Sequence, residues 1–191
     1  MTAGFWTFWS IVLAKKHIFI LGGARSGKSR FAQESAGKLG NKVLFIATGE
    51  PLDEEMQTRI DQHKKARPKN WRTLEIPTNI GKQLEEKIGD AEVVIIDCLT
   101  LLISNLLGDE LDYSKAEKRV MAEINKLMAC MDKLDASFII VSNEVGMGLV
   151  PETKLGRVYR DMVGKANQRI SQRANETYFM VAGIPMKVKG D

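Results

Sequence analysis

Eight consecutive residues carry the clearest chemistry in the chain. Gly22-Gly23-Ala24-Arg25-Ser26-Gly27-Lys28-Ser29 fits G-x-x-x-x-G-K-[ST] without a mismatch. An apolar run, His17–Leu21, precedes it, and a helix-like stretch, Arg30–Leu39, follows. Glycines in such a turn let successive backbone N–H groups point inward at phosphate oxygens. A helix beginning near Lys28 adds its positive end. Lys28 places a full charge on the β- and γ-phosphates, and the Ser29 hydroxyl is a ligand for Mg²⁺. Arg25, inside the loop, is a further candidate phosphate ligand. The motif predicts a nucleoside triphosphate with Mg²⁺. It does not choose a reaction, because such loops serve kinases, motors and switches alike.

Two more constellations bear on the same chemistry. Val93–Ile96 (VVII) is followed by Asp97, so a strand delivers a carboxylate at its end. Beside a phosphate loop such an acid holds Mg²⁺, directly or through water; elsewhere it would simply cap a helix. The second is the run DEEMQTRIDQHKKAR at 53–67. On a helix, Met56, Ile60 and His63 share one face, with Lys64 and Arg67 within the next turn. One reading is a half-buried histidine among solvated cations. The other is a nucleophile: a neutral imidazole forms covalent intermediates near pH 7, and neighbouring cations stabilise charge developing at phosphorus. The remaining histidine, His17, precedes the first strand and reads as structural.

These groups need a frame, and the pattern supplies one. His17–Leu21, Val43–Ala47, Val93–Ile96 and Phe138–Val141 are short continuous apolar runs, and Trp71–Ile76 reads as a short edge strand. Amphipathic stretches separate them: Asp53–Ala66, the Ile80/Leu84/Ile88 face, Ala116–Met131 and Glu152–Ala174. Tyr178–Ala182 and Met186–Lys189 read as two strands joined by a Gly183-Ile184-Pro185 turn. The alternation predicts a three-layer α/β fold of the P-loop NTPase type, with a mostly parallel sheet, helices on both faces and an antiparallel C-terminal hairpin. Ligands of such sheets bind beyond the carboxyl ends of the strands. That singles out Gly22–Ser29, Thr48-Gly49, Asp97 and Asn143–Gly148; Asn143 and Glu144 are candidates to orient an acceptor.

Composition narrows the class. With 191 residues, 44% hydrophobic and 27% charged, the chain is expected to form one globular catalytic domain from residue 17 to 191. Residues 3–14 are almost wholly apolar, too few to span a bilayer and without the flanks of a secretory signal. Residues 1–16 therefore read as an extension apart from the chemistry. Cys98 and Cys130 make neither a disulfide scaffold nor a zinc site, which suits a cytoplasmic protein. A net charge of +4 fits an anionic small molecule rather than the basic stripe of a nucleic-acid reader.

Five segments together resemble one family: GGARSGKSRFAQ (22–33), FIATGEPLDEEMQTRIDQHKKARPKNW (45–71), SNEVGMGLVP (142–151), YRDMVGKANQRI (159–170) and VAGIPMKVK (181–189). They resemble the bifunctional adenosylcobinamide kinase / adenosylcobinamide-phosphate guanylyltransferases of cobalamin assembly, over about residues 17–189. The resemblance implies that ATP or GTP phosphorylates the aminopropanol hydroxyl of adenosylcobinamide. GTP then donates GMP, through a guanylylated His63, to the new phosphate. It also implies nucleotide contacts at Ala47, Thr48, Gly49, Lys64, Lys65, Ala66, Arg67, Glu75 and Asp97, and a homotrimer. Thr48 would offer a hydroxyl and Gly49 close backbone; Lys64 and Arg67 would pair with phosphates; Glu75 would accept the N1–H and amino group of guanine. Some relatives carry a second histidine before the nucleophile, where this chain has Gln62. The run LTLLISNLL (99–107) would pack either between subunits or inside one. Two other readings compete: a simple kinase with a structural His63, and a recombinase-like ATPase gated by a polynucleotide.

Overall fold

A strand that is apolar on both sides must be covered on both faces, and four of the runs above are of that kind. The computed structural model describes residues 15–190 except 51–53, 55, 56, 59, 61–63, 65 and 66. In it the chain runs β1 (His17–Gly22), α1 (Lys28–Leu39), β2 (Val43–Ala47), β3 (Arg72–Glu75), α2 (Ile80–Lys87), β4 (Val93–Asp97), α3 (Leu99–Leu107), α4 (Tyr113–Lys133), β5 (Ser137–Val141), α5 (Lys154–Arg173), β6 (Glu176–Val181) and β7 (Ile184–Lys189). The strands form one sheet in the order β3-β2-β4-β5-β1-β6-β7. All described pairings are parallel except β6–β7. This is the predicted α/β architecture with its antiparallel hairpin.

Alternate residues of each strand serve the two layers. Phe19, Leu44, Ile46, Val94, Ile96, Phe138 and Ile140 pack in the core that includes α2, α3, α4 and α5. Ile18, Ile20, Phe45, Ile95 and Ile139 pack in the core that includes α1. Phe19, Leu44, Ile46 and Phe138 are fully enclosed, each worth about 1.5–3 kcal/mol of burial. Local signals set the helix starts. The Asp112 side chain accepts from Lys115 N at 2.9 Å and opens α4; the Thr153 side chain accepts from Gly156 N at 3.1 Å and opens α5. Helix α1 has Gly27 at its N-cap and no side-chain cap.

One sequence expectation changes and one open alternative closes. The C-terminal turn is Ala182-Gly183, with φ of 49° and 85°, not Gly183-Ile184-Pro185. Ile184 and Pro185 already pair with Val181 and Met180; a proline is tolerated there because β7 is an edge strand with no further ladder to donate to. The run at 99–107 is helix α3, and Leu99, Leu102, Ile103 and Leu107 are buried within the subunit. Lys15 and Lys16, grouped with the extension, pair with Asp135 at 3.1 Å and Glu176 at 2.9 Å. Residues 1–14 lie outside the described residues. Of the helix expected over Asp53–Ala66, positions 54, 57, 58, 60 and 64 are helical, and the Thr58 hydroxyl donates to Glu54 O at 2.9 Å. His63, Lys65 and Ala66 lie outside the described residues.

Candidate active site

Sheet register lines up the candidate residues. Glu75 pairs with Ala47, Ala47 with Asp97, Asp97 with Val141, and Val141 with Ile20. One row across the carboxyl edge thus runs from Glu75 on β3 to β1, where the phosphate loop begins two residues later. β5 lies between β4 and β1, which sets the axes of those two strands roughly 10 Å apart. The loop and Asp97 thus leave the sheet on either side of β5, with a gap one strand wide between them.

The loop is held on both sides. Ser26 N donates to Gly23 O at 3.3 Å, and Gly183 N donates to Ser26 O at 3.0 Å, so the Ala182-Gly183 turn props it. A Cβ at Gly22 would stand 2.6 Å from Met180 O; only glycine admits β6 this close. Arg25 and Gly27 adopt positive φ of 56° and 92°. Lys28 is buried and its Nζ donates to Gly23 O at 2.6 Å, leaving two further ammonium donors. Burial lowers its pKa, with Cys98 and Asp97 pulling the other way. Ser29, in the first turn of α1, is half-buried. The uncapped start of α1 leaves its first N–H groups for a ligand.

Across the gap, Asp97 Oδ2 is buried without a hydrogen-bond partner among the described residues, and so are Nε and Nη1 of Arg67. The Arg67 guanidinium lies over the Phe45 ring, 3.9 Å from its centroid. Burial lowers the Arg67 pKa, opposed by Asp97 and then Glu75. Asp97 therefore sits in the field of both Lys28 and Arg67. Buried polar atoms are almost always satisfied. Bare donors beside a bare carboxylate oxygen are what a polyphosphate and its counter-cation would complete. The donor set fits Mg²⁺, which takes one or two protein oxygens and fills the rest from phosphate and water.

Not every candidate stands as the sequence offered it. The Thr48 hydroxyl donates to Cys98 O at 2.7 Å and accepts from Cys98 N at 2.9 Å, and Thr48 is fully buried. It clamps β2 to the end of β4 instead of presenting a free hydroxyl. Ala47 is buried in the row, and Gly49 backs onto Leu101 and Ile60. Glu75 and Lys64 are exposed and form an ion pair with each other, so the two residues implied as nucleotide contacts already neutralise one another.

Asn105, Ser142 and Asn167 escaped sequence reasoning, and Asn143 and Glu144, offered as orienting residues, prove to be anchored in the fold. Asn105 Nδ2 donates to Thr48 O at 2.7 Å and to Pro77 O at 3.2 Å, tying down the β2 exit. Asn143 Nδ2 donates to Thr100 Oγ1 at 3.0 Å, and Ser142 Oγ donates to Asn167 Oδ1 at 2.7 Å. Glu144 N donates to Gly22 O at 3.1 Å, so the loop after β5 is rooted in the phosphate loop. A lone asparagine inside LTLLISNLL was the signal for the first. Both thiols are free and buried. Burial, followed by Asp97, pushes Cys98 up to about 11, and burial pushes Cys130 up to about 11, so neither is a nucleophile near neutral pH. No helix among the described residues is long and apolar enough to cross a membrane.

Comparison with known proteins agrees with this geometry. Residues 18–188 match the CobU family, described as cobinamide kinase / cobinamide phosphate guanyltransferase. A bifunctional adenosylcobalamin biosynthesis protein CobU of Escherichia coli K12 is 42% identical over 180 residues, spanning 90% of this chain and 99% of that one. The CobU protein of Salmonella typhimurium LT2 is 38% identical over the same shares. CobP of Pseudomonas aeruginosa, also a bifunctional adenosylcobalamin biosynthesis protein, is 41% identical over 172 residues, covering 90% of this chain and 96% of the relative. With a phosphate loop, a strand-end aspartate and buried bare cationic donors on one sheet edge, and a family match along nearly the whole fold, the chain belongs to the cobinamide kinase / cobinamide phosphate guanyltransferase family.

Proposed function

We propose that this chain phosphorylates the hydroxyl of adenosylcobinamide with ATP or GTP and then transfers GMP from GTP to the product, giving adenosylcobinamide-GDP. The observation that carries the nucleotide reading is the juxtaposition at the β4 end: Asp97 Oδ2 without a partner, beside the bare buried donors of Arg67 and within the field of Lys28. In the first reaction the acceptor hydroxyl attacks the γ-phosphorus, and the nucleoside diphosphate leaves. The loop N–H groups of Gly22–Ser29 and the Lys28 ammonium hold the phosphates. Ser29 and Asp97 would hold Mg²⁺, which neutralises charge on the β- and γ-oxygens when bound. In the second, the His63 imidazole attacks the α-phosphorus of GTP and pyrophosphate leaves. The phosphate of the acceptor then attacks the histidine-bound phosphorus, releasing His63 and forming the new anhydride. Lys64, Lys65 and Arg67 flank that centre as cations. Glu75 reads guanine once Lys64 turns to phosphate.

The enzyme works in the cytoplasm as a homotrimer on this reading. Its two unpaired thiols support the first. The exposed apolar residues Val181, Ile184 and Met186 of the edge hairpin support a contact between copies. The test is labelling with α-³²P-GTP. Wild type should retain acid-labile, base-stable label and His63→Ala none, while His63→Ala still phosphorylates adenosylcobinamide. Equal labelling of both would refute the guanylylated histidine and leave a simple kinase.

A further inference from the structure

The segment between β5 and α5 departs from the usual make-up of a surface loop. Met147, Leu149 and Val150 are 80%, 95% and 65% exposed. From Ser142 to Thr153 the chain reads SNEVGMGLVPET, with no lysine or arginine. Arg157, in the first turn of α5, is engaged by the stretch itself, its Nη1 donating to Pro151 O at 3.0 Å and to Glu152 O at 2.7 Å. Its root is fixed by bonds already described: Glu144 N to Gly22 O at 3.1 Å and Asn143 Nδ2 to Thr100 Oγ1 at 3.0 Å. Because β5 lies between β1 and β4, the loop leaves the sheet over the gap between the phosphate loop and Asp97. Its far end, Thr153, lines a cavity of about 300 Å³ with Leu107, Leu155 and Tyr159. Among the described residues, chain neighbours aside, no heavy atom lies within 4 Å of the Cβ position at Gly148, so that glycine faces open space.

We infer that residues 146–150 form the bed for the ring of the acceptor, with Met147, Leu149 and Val150 against one face of the corrin macrocycle. The inference rests on the proposed function, which makes the acceptor a corrin. The chemistry matches: a broad, apolar-faced ring rimmed by neutral amides asks for exposed aliphatic side chains and backbone polar groups, not for cations. The position matches too. A bed rooted at Gly22 lets a hydroxyl on the ring's side chain reach the γ-phosphate side of the gap. A second copy of this chain is the competing occupant, and the test separates it.

Adenosylcobinamide binding is measured calorimetrically on the full chain saturated with a non-hydrolysable GTP analogue, alongside steady-state phosphorylation and light scattering. Met147→Asp/Leu149→Asp should weaken adenosylcobinamide binding and raise its KM tenfold or more. The affinity for the GTP analogue, kcat and the mass of the assembly should stay unchanged. Leu149→Met should behave as wild type. Both substituted side chains are largely exposed, so the fold has no reason to fail. Wild-type adenosylcobinamide affinity in the double variant, with or without a change in assembly mass, overturns the inference while leaving an active wild type and its proposed function intact. A wild type that neither binds nor phosphorylates adenosylcobinamide overturns both.

Discussion

Thr48 separates a clamp from a ligand. In Thr48→Val the shape is kept and the hydroxyl lost. Cys98 O still accepts from Leu102 N at 3.2 Å, so that carbonyl loses one partner of two, about 0.5–1.5 kcal/mol. Cys98 N has only the Thr48 hydroxyl at 2.9 Å, and a buried N–H left bare costs about 1–3 kcal/mol. The sum is about 1.5–4.5 kcal/mol. For a domain of this size that lowers Tm by roughly 3–18 °C. Thr48→Ser keeps both bonds and loses one methyl, about 1 kcal/mol. Urea and thermal unfolding of the three proteins give the stability order. Calorimetric titration with GTP at a temperature where all are folded gives the affinity. Thr48→Val should be the least stable and bind GTP within about threefold of wild type, less than the 1.4 kcal/mol that marks a tenfold change. A Thr48→Val protein with wild-type stability and GTP binding weakened tenfold would refute the clamp and restore the hydroxyl as a nucleotide ligand.

Two further outcomes follow from local geometry. Ala182→Asn should stabilise by about 0.5–1 kcal/mol in urea unfolding, since both turn residues have positive φ and Asn-Gly suits such a two-residue turn better than Ala-Gly; no gain would mean that the strain is absorbed elsewhere. His17 is buried, its Nδ1 has no partner, and burial followed by Arg173 lowers its pKa below the ordinary 6.5. Below pH 6.5 the unfolded chain then binds more protons, so stability should fall as pH drops through that value and level off below the folded-state pKa. His17→Leu should flatten the dependence in that window, and an unchanged pH profile would remove His17 as its source.

What the sequence made legible was local, and what it hid was distant. The phosphate loop is eight adjacent residues, and Asp97 directly ends an apolar run, so both could be read off a line of letters. The gap between them depends on β5 entering the sheet between β1 and β4, a choice of pairing that no single strand records. Thr48 fails for the same reason: its partner, Cys98, is 50 residues away just past the end of β4, and a threonine at a strand end reads as available until that peptide is placed against it. Arg67 was visible as one of several cations; only the fold separates it from Lys64, setting Arg67 on Phe45 with bare donors and Lys64 in an exposed pair with Glu75. At the hairpin, Pro185 was mistaken for a turn residue because a proline signals a turn wherever the edge position of its strand is unknown.

The same row of residues explains how one triphosphate site would serve attack at either end of the phosphate chain. On the proposed reading the cradle would fix the β- and γ-phosphates at β1. At the other end of the row, among the described residues between β2 and β3, Ile60 backs Gly49 and Arg67 lies on Phe45. From β1 to β3 is four strand spacings, roughly 19 Å. A nucleotide laid along that row from the cradle toward Glu75 would keep its γ-phosphate at the β1 end, where Glu144 N of the loop after β5 meets Gly22 O, and turn its α-phosphate and base toward Arg67 and Glu75. On the proposed reading, the acceptor hydroxyl approaches from the first end and His63 from the second. The two reactions then need no second phosphate loop, only two attackers carried by segments that leave the sheet at different strands.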